Sequence, residues 1–213
     1  MRTYRKLFES RTIRAHEILT KAITSNELIS IDHIKEMQSD VYDKQAEYIL
    51  PLMLQLIKKC EKYIEYKEIE HVVSMLEDWD FKVFGNDKLA LIYNMWLNTL
   101  FDELLQNHLT DDERLFLKSL PNKFLEVMIE KWAEGKELNY ILCKVYEDKE
   151  KPCIYIMAYT LLKTYKQIVT SIGKNKKNWR WDYINSQEYY NPVFEGKLVK
   201  YLFHLKTYTG VSI

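Results

Sequence analysis

The sequence predicts a mainly α-helical protein that finishes in a short extended or β segment after about residue 178. Three observations carry that prediction. Apolar residues recur three and four apart through most of the chain as far as Ile172, the repeat that places them on one face of a helix. Only five Gly and four Pro occur in 213 residues, against 47% hydrophobic and 14% aromatic residues, so helix breakers are few and apolar surface is ample. Gly173 and the basic run from Lys174 to Lys177 then stop the helical pattern, and Trp179 and Trp181 follow at spacing two, the period of an extended strand. We therefore read residues 1–213 as a single partial domain, with a helical region over 1–172 and a Trp-rich extended segment over 173–213.

The first helix runs to about residue 23, entered from Ser10 or an earlier turn, with Leu7, Ile13, Ile18, Leu19 and Ala22 apolar and Arg11 and Arg14 at i and i+3. Ser30 or Asp32 caps the second, which His33 and Ile34 enter. From Val41 onward Ile49, Leu50, Met53, Leu54, Ile57, Cys60 and Ile64 form a buried stripe, and Pro51 should kink that helix or start its second half. A short helix over Ile69 to Leu76 ends at Glu77-Asp78-Trp79-Asp80, before a loop containing Gly85, Asn86 and Asp87.

Asp87 caps the next helix, Lys88 to about His108. Its row Ile92, Trp96, Leu100, Leu104 and the neighbouring row Tyr93, Leu97, Phe101, Leu105 make half its circumference apolar, so it belongs inside a helical layer. Asp111 or Asp112 caps a short helix that Pro121 interrupts, and Phe124 to Trp132 resumes before Gly135. A helix around Glu137 to Tyr146, a charged link from Glu147 to Pro152, and a helix from about Cys153 to Ile172 follow. The last of these turns Met157, Leu161, Leu162, Tyr165, Ile168 and Val169 inward.

Composition narrows the function. Lys plus Arg and Asp plus Glu are both 31, so the formal net charge is zero and neither nucleic acid nor an anionic membrane is an expected partner. Cys60, Cys143 and Cys153 are odd in number and lack metal-type spacing, which reads as buried thiols. The N-terminus has no apolar run behind its positive charges, and nowhere do about eighteen apolar residues follow one another. There is no Gly-x-Ser-x-Gly elbow, no phosphate-binding loop and no His-Glu-x-x-His, and the five histidines are scattered. Asp78, Asp80 and Asp87 beside Gly85 do not fit a calcium loop with its closing Glu, and read as a polar connection. The Trp179 stretch, with Tyr183, Tyr189, Tyr190 and Phe194, is either an aromatic anchor closing over a core or a basic, aromatic patch for single-stranded nucleic acid. The balanced charge favours the anchor.

The same stretch carries a family resemblance. Trp179, Trp181, Ile184 and Tyr189 resemble the Trp-x-Trp-Gly-x-Leu-His segment, followed by an aromatic and a His, near the end of the large subunit of penicillin amidases, which are N-terminal-nucleophile hydrolases. Asp182 stands where the family usually has Gly, and Asn185 and Asn191 where it usually has His. The other segments follow in the family's order. Arg11-Thr-Ile-Arg14 with Ile18 and Leu19 is similar to Arg-x-x-Arg-Ile-x-x-Leu-Leu. Gln38, Asp40, Ala46, Leu50 and Pro51 match a Gln-x-Asp, Ala and Pro pattern. Trp79-Asp80 matches Trp-Asp-(Gly), and Ala90, Tyr93 and Trp96 match the helix that follows an Asp-Ser, with Lys88 replacing the Ser.

This resemblance implies the helical region of a four-layer αββα hydrolase of linear amides. A free N-terminal Ser would attack the amide carbonyl with its own α-amino group as base, and an acyl-enzyme would be hydrolysed to a carboxylic acid and an amine. The nucleophile is expected upstream of Met1, so no catalytic residue lies in this chain. Arg11 is the residue that the resemblance brings near the chemistry. On residue type alone it is equally a solvated or ion-paired helix arginine. Gln38, Asp40, Trp79, Asp80, Trp96, Trp179 and Trp181 are expected to be structural, with Gln38 and Asp40 hydrogen-bonding helix ends. Implied partners are a small-molecule amide, the remainder of the large subunit and the small subunit. No cofactor or metal site is expected here, and the resemblance leaves room for calcium in the full-length protein. The competing reading from another class is a non-catalytic helical interaction or scaffold domain.

Overall fold

Seven α-helices account for most of the described chain in a computed structural model, which describes residues 10–25, 28–59, 66–105, 110, 112–113, 121–136, 155–189 and 205–208. They are α1 Ser10–Thr24, α2 Ile31–Ser39, α3 Lys44–Lys58, α4 Tyr66–Glu77, α5 Lys88–Leu105, α6 Pro121–Ala133 and α7 Tyr155–Ile172. The protein is thus mainly α. The expected helix around Glu137 to Tyr146, the link to Pro152, all three cysteines, Tyr190, Asn191 and Phe194 lie outside the described residues.

Contacts divide the chain into two units, each assembled from separated segments. One comprises Gln45–Asp80 and Ile92–Lys174, the other Met1–Lys44, Phe81–Leu91 and Asn175–Ile213.

The first of these holds the larger apolar core. Along α3, Ala46, Ile49, Leu50, Met53, Leu54, Leu56 and Ile57 are buried at the expected three- and four-residue spacing. The helix continues through Pro51, whose ring is exposed, so the missing N–H is accommodated on the solvent side. All eight apolar positions expected inward on α5 are buried. Each such side chain contributes about 1.5–3 kcal/mol of transfer free energy, far more than a surface ion pair. Helices α4 and α7 pack together, with His71 edge-on to Tyr165 at 5.1 Å. On α7, Met157, Leu161 and Ile168 are buried as expected, but Leu162, Tyr165 and Val169 are only half-buried, and Ile156, Ala158, Thr160 and Thr164 complete the inner face. Thr160 can sit there because its hydroxyl donates to the Ile156 carbonyl at 2.7 Å, which satisfies it inside the helix.

Pro121 begins α6, as suits a residue whose absent N–H is one of the four that a first turn leaves unpaired. Ahead of it, Thr110 and Glu113 cap one another. Thr110 Oγ1 accepts from the Glu113 N–H at 3.4 Å while Glu113 Oε2 accepts from the Thr110 N–H at 2.9 Å, a reciprocal capping box. Gly135, with φ 73°, supplies the left-handed residue after α6, and Gly173, with φ 100°, does the same for α7.

The other unit is built from shorter pieces. Helix α1 packs on α2, and Ser30 caps α2 with His33 in a second capping box. Residues 41–43 and 81–83 pair briefly, antiparallel, through the Tyr42 and Lys82 bridge. Asp87 Oδ1 accepts from the Leu89 N–H at 2.7 Å and so caps α5 as expected. Two four-residue strands, β1 Ser186–Tyr189 and β2 Leu205–Tyr208, pair antiparallel with Ser186 opposite Tyr208 and Tyr189 opposite Leu205.

The Trp segment is not the strand that its spacing predicts. Two 3-10 turns, Lys176–Asn178 and Trp181–Tyr183, flank an extended pair at Trp179 and Arg180. The Asn175 side chain accepts from the Lys177 N–H at 3.1 Å, and the Ile184 and Asn185 amides both donate to the Trp181 carbonyl. These local bonds satisfy the backbone without a partner strand. The alternation still holds over three residues, since Trp179 and Trp181 are buried and Arg180 is exposed. It fails at Asp182, which is buried as well.

Candidate functional site

The residues singled out from the sequence fall into two groups. In the larger-core unit, Trp79 and Trp96 are buried aromatic pins. The Trp79 ring tilts against Tyr93 with centroids 5.5 Å apart. Trp96 is fully buried, and its Nε1 donates to the Met157 carbonyl at 3.2 Å and to Thr160 Oγ1 at 3.0 Å, tying α5 to α7. Asp80, beside Trp79, is exposed.

In the other unit, Arg14, Glu17, Asp40, Tyr42 and Lys44 make a continuous charged cluster. Arg14 Nε and Nη2 donate to the two carboxylate oxygens of Asp40 at 2.8 and 3.2 Å, the two-pronged geometry that suits a guanidinium. Arg14 also lies 3.5 Å from Glu17, and the ammonium of Lys44 reaches the other Glu17 oxygen at 2.8 Å. The Arg14 guanidinium carbon stands 4.8 Å from the centre of the Tyr42 ring, within cation–π range. The hydrogen bonds to Asp40 raise the Arg14 pKa further above its ordinary value, outweighing the opposing effect of burial.

Asp40 occupies the C-cap position of α2, and its carboxylate fastens that end to Arg14 of α1. Gln38 is exposed on the last turn of α2. Arg11 is exposed on α1, one turn before Arg14, and it is Arg14 that the described structure engages with the acid. Part of this cluster has a local signature, because Glu17 follows Arg14 by three residues. The pairing of Arg14 with Asp40 spans twenty-six residues and had no local signature.

Trp179 and Trp181 are brought together with a second ion pair that spacing alone did not single out. Arg180 Nε and Nη2 donate to Asp182 Oδ1 and Oδ2 at 2.9 and 2.6 Å. The Asp182 amide donates to the Gly85 carbonyl at 2.8 Å, so the 81–87 loop and the Trp segment are joined by backbone and side chain together. Phe81, at the start of that loop, has φ 60°, the left-handed region, at a cost of about 1–2 kcal/mol for a residue with a Cβ.

Among the described residues no group of three or more His, Cys, Asp or Glu is placed to hold a metal ion. None of the described helices is long and apolar enough to cross a membrane. Among the described residues, the side chains singled out here supply ion pairs, buried indoles and the exposed Arg11.

A family model described as penicillin amidase matches residues 3–210. The chain belongs to the penicillin amidase family. A comparison with curated proteins returns no match. Of the departures from the family pattern noted in the sequence, Asp182 is buried and held by Arg180. Phe81, directly after Trp79-Asp80, holds the left-handed conformation that a glycine adopts without strain.

Proposed function

We propose that these 213 residues are the helical portion of a hydrolase of linear amides, a penicillin amidase-like acylase that releases a carboxylic acid and an amine. The observation that carries the proposal is the family match over nearly the whole chain. Supporting it, the four tryptophans of the collinear motifs, Trp79, Trp96, Trp179 and Trp181, are all buried, as fixed points of a shared architecture should be.

In this proposal the reacting groups lie outside residues 1–213, in the remainder of a large subunit with an αββα sheet architecture and in a small subunit. The nucleophile is an N-terminal Ser whose α-amino group, with an ordinary pKa of about 8, takes the hydroxyl proton directly or through water. Hydrogen-bond donors held in place stabilise the tetrahedral oxyanion. The part assigned to this chain is to hold α1 so that Arg11 faces the chemistry. Exposed Leu28 (92%) and Ile31 (75%), with Ile23 and Ile29 nearby in sequence, support further polypeptide meeting the connection between α1 and α2. The same exposure fits the alternative of a non-catalytic helical interaction domain, and activity separates the two.

The test is amine release from a panel of N-acyl amides, measured for the native gene product and for the 213-residue chain alone. Hydrolysis by the native product with none by the isolated chain supports the proposal. A native product that hydrolyses no member of the panel leaves the interaction-domain alternative.

A further inference from the structure

Phe81 is, among the described residues, the single non-glycine with a positive φ, at 60°. Strain of this kind persists where the surroundings over-determine it, and those surroundings are definite here. The Phe81 carbonyl accepts the Asp43 N–H at 2.7 Å and the Val83 N–H donates to the Val41 carbonyl at 2.9 Å. The two bonds bracket the bridge between Tyr42 and Lys82. The Phe81 ring stands edge-on to the Tyr42 ring, centroids 6.2 Å apart at 73°. Tyr42 in turn carries the Arg14 guanidinium 4.8 Å from its ring centre, and Asp40 holds that guanidinium by both prongs. A glycine at position 81 would keep the backbone pairing without strain. It would lose the ring contact.

We propose that Phe81 is a positioning residue: its strained backbone is retained so that its ring holds Tyr42 in contact with Arg14, which fixes the orientation of α1 and therefore of Arg11. Only the last link, the service of Arg11 to amide hydrolysis, rests on the function proposed above. The cluster is otherwise a property of the folded chain, and it is tested there.

The experiment compares Phe81→Gly and Phe81→Tyr in the 213-residue chain, each repeated in a Tyr42→Leu background, by ¹⁵N NMR of the Arg14 Nε–H and by thermal midpoint. In Phe81→Gly the Arg14 Nε–H resonance shifts as the Tyr42 ring moves away, and its exchange with solvent speeds by about two- to fivefold, the loosening of one cation–π contact. Phe81→Tyr keeps both signals of the native chain. The midpoint falls further in Phe81→Gly when Tyr42 is present than in the Tyr42→Leu background, where the ring contact is already gone. An unchanged Arg14 signal in a folded Phe81→Gly variant, or an equal change of midpoint in both backgrounds, overturns the proposal. Should Tyr42→Leu not fold, the Arg14 signals of the two single variants decide alone. No readout here uses hydrolysis, so a failed coupling counts against the Phe81 device, whereas missing amidase activity counts against the proposed function.

Discussion

The carboxylate of Asp182 occupies the space that a side chain on Gly85 would need. A Cβ built on Gly85 meets Asp182 Oδ2 at 3.0 Å and its Cβ at 3.3 Å. Asp182 has little freedom to yield, because Arg180 holds both its oxygens and its amide is bonded to the Gly85 carbonyl. Gly85 is thus kept for close approach, with no left-handed φ requiring it.

Gly85→Ala should therefore destabilise the chain by about 1–2 kcal/mol, the cost of forcing one methyl into a packed contact. In an Asp182→Gly background the same change should be neutral, or stabilising by up to about 1 kcal/mol through the unfolded chain. Urea denaturation of the four proteins in this cycle checks the coupling. Equal effects of Gly85→Ala in both backgrounds would dissociate the two residues.

Removing the guanidinium alone is a separate matter. Arg180→Met leaves a carboxylate that is only 5% exposed without its two charge-assisted bonds, and the loss should be about 1–3 kcal/mol. Arg180 is itself half exposed, which keeps the value below that of a fully buried pair. Tryptophan emission, followed through denaturation, reports the change because the buried Trp179 precedes the pair and the buried Trp181 lies between its members in sequence.

The helical layer was legible in the sequence because its signal is local and repetitive. All eight inward positions of α5 and the stripe of α3 follow from spacing alone, as do the Ser30 and Asp87 caps. What spacing could not supply was competition between local and long-range bonding. Trp179 and Trp181 have a strand's period, yet the Asn175 cap and the pull of Arg180 on Asp182 turn the flanking residues into 3-10 turns. Thr110, which was not among the expected caps, forms a capping box because Glu113 lies three residues on and completes it. The Arg14 cluster depends on Asp40 and Tyr42, which only folding brings to α1. Likewise the strain at Phe81 is a backbone angle, which residue spacing does not carry.

Trp96 offers a test of the core. Trp96→Phe deletes the donor to the Met157 carbonyl and Thr160 Oγ1 and leaves a partial cavity in a site with no exposure. Thr160 retains its bond to the Ile156 carbonyl, so the expected loss is about 1–3 kcal/mol rather than the larger cost of an orphaned network. Differential scanning calorimetry should show a lower midpoint with the transition still cooperative.

Stability should also depend on pH through Lys163. Its hydrogen bond to Glu103 at 2.6 Å raises its pKa above the ordinary 10.5, outweighing burial. Because the folded value lies above the unfolded one, the stabilisation is complete below about pH 10.5 and is lost as pH rises through the folded value. The difference in thermal midpoint between the native chain and Lys163→Met should be constant at neutral pH and shrink above that point. A difference that does not change with alkaline pH would remove Lys163 as its source.

The central claim, that this is the supporting helical part of an amide hydrolase whose nucleophile lies elsewhere, is tested most directly by trapping the acyl-enzyme. The native gene product is treated with an activated acyl donor, quenched in acid and mapped by mass spectrometry across residues 1–213 and beyond them. We predict one acyl group on the hydroxyl of an N-terminal Ser outside these residues, with none on any side chain within them. Acylation of a residue inside 1–213, or a native product that neither acylates nor hydrolyses amides, would contradict the claim.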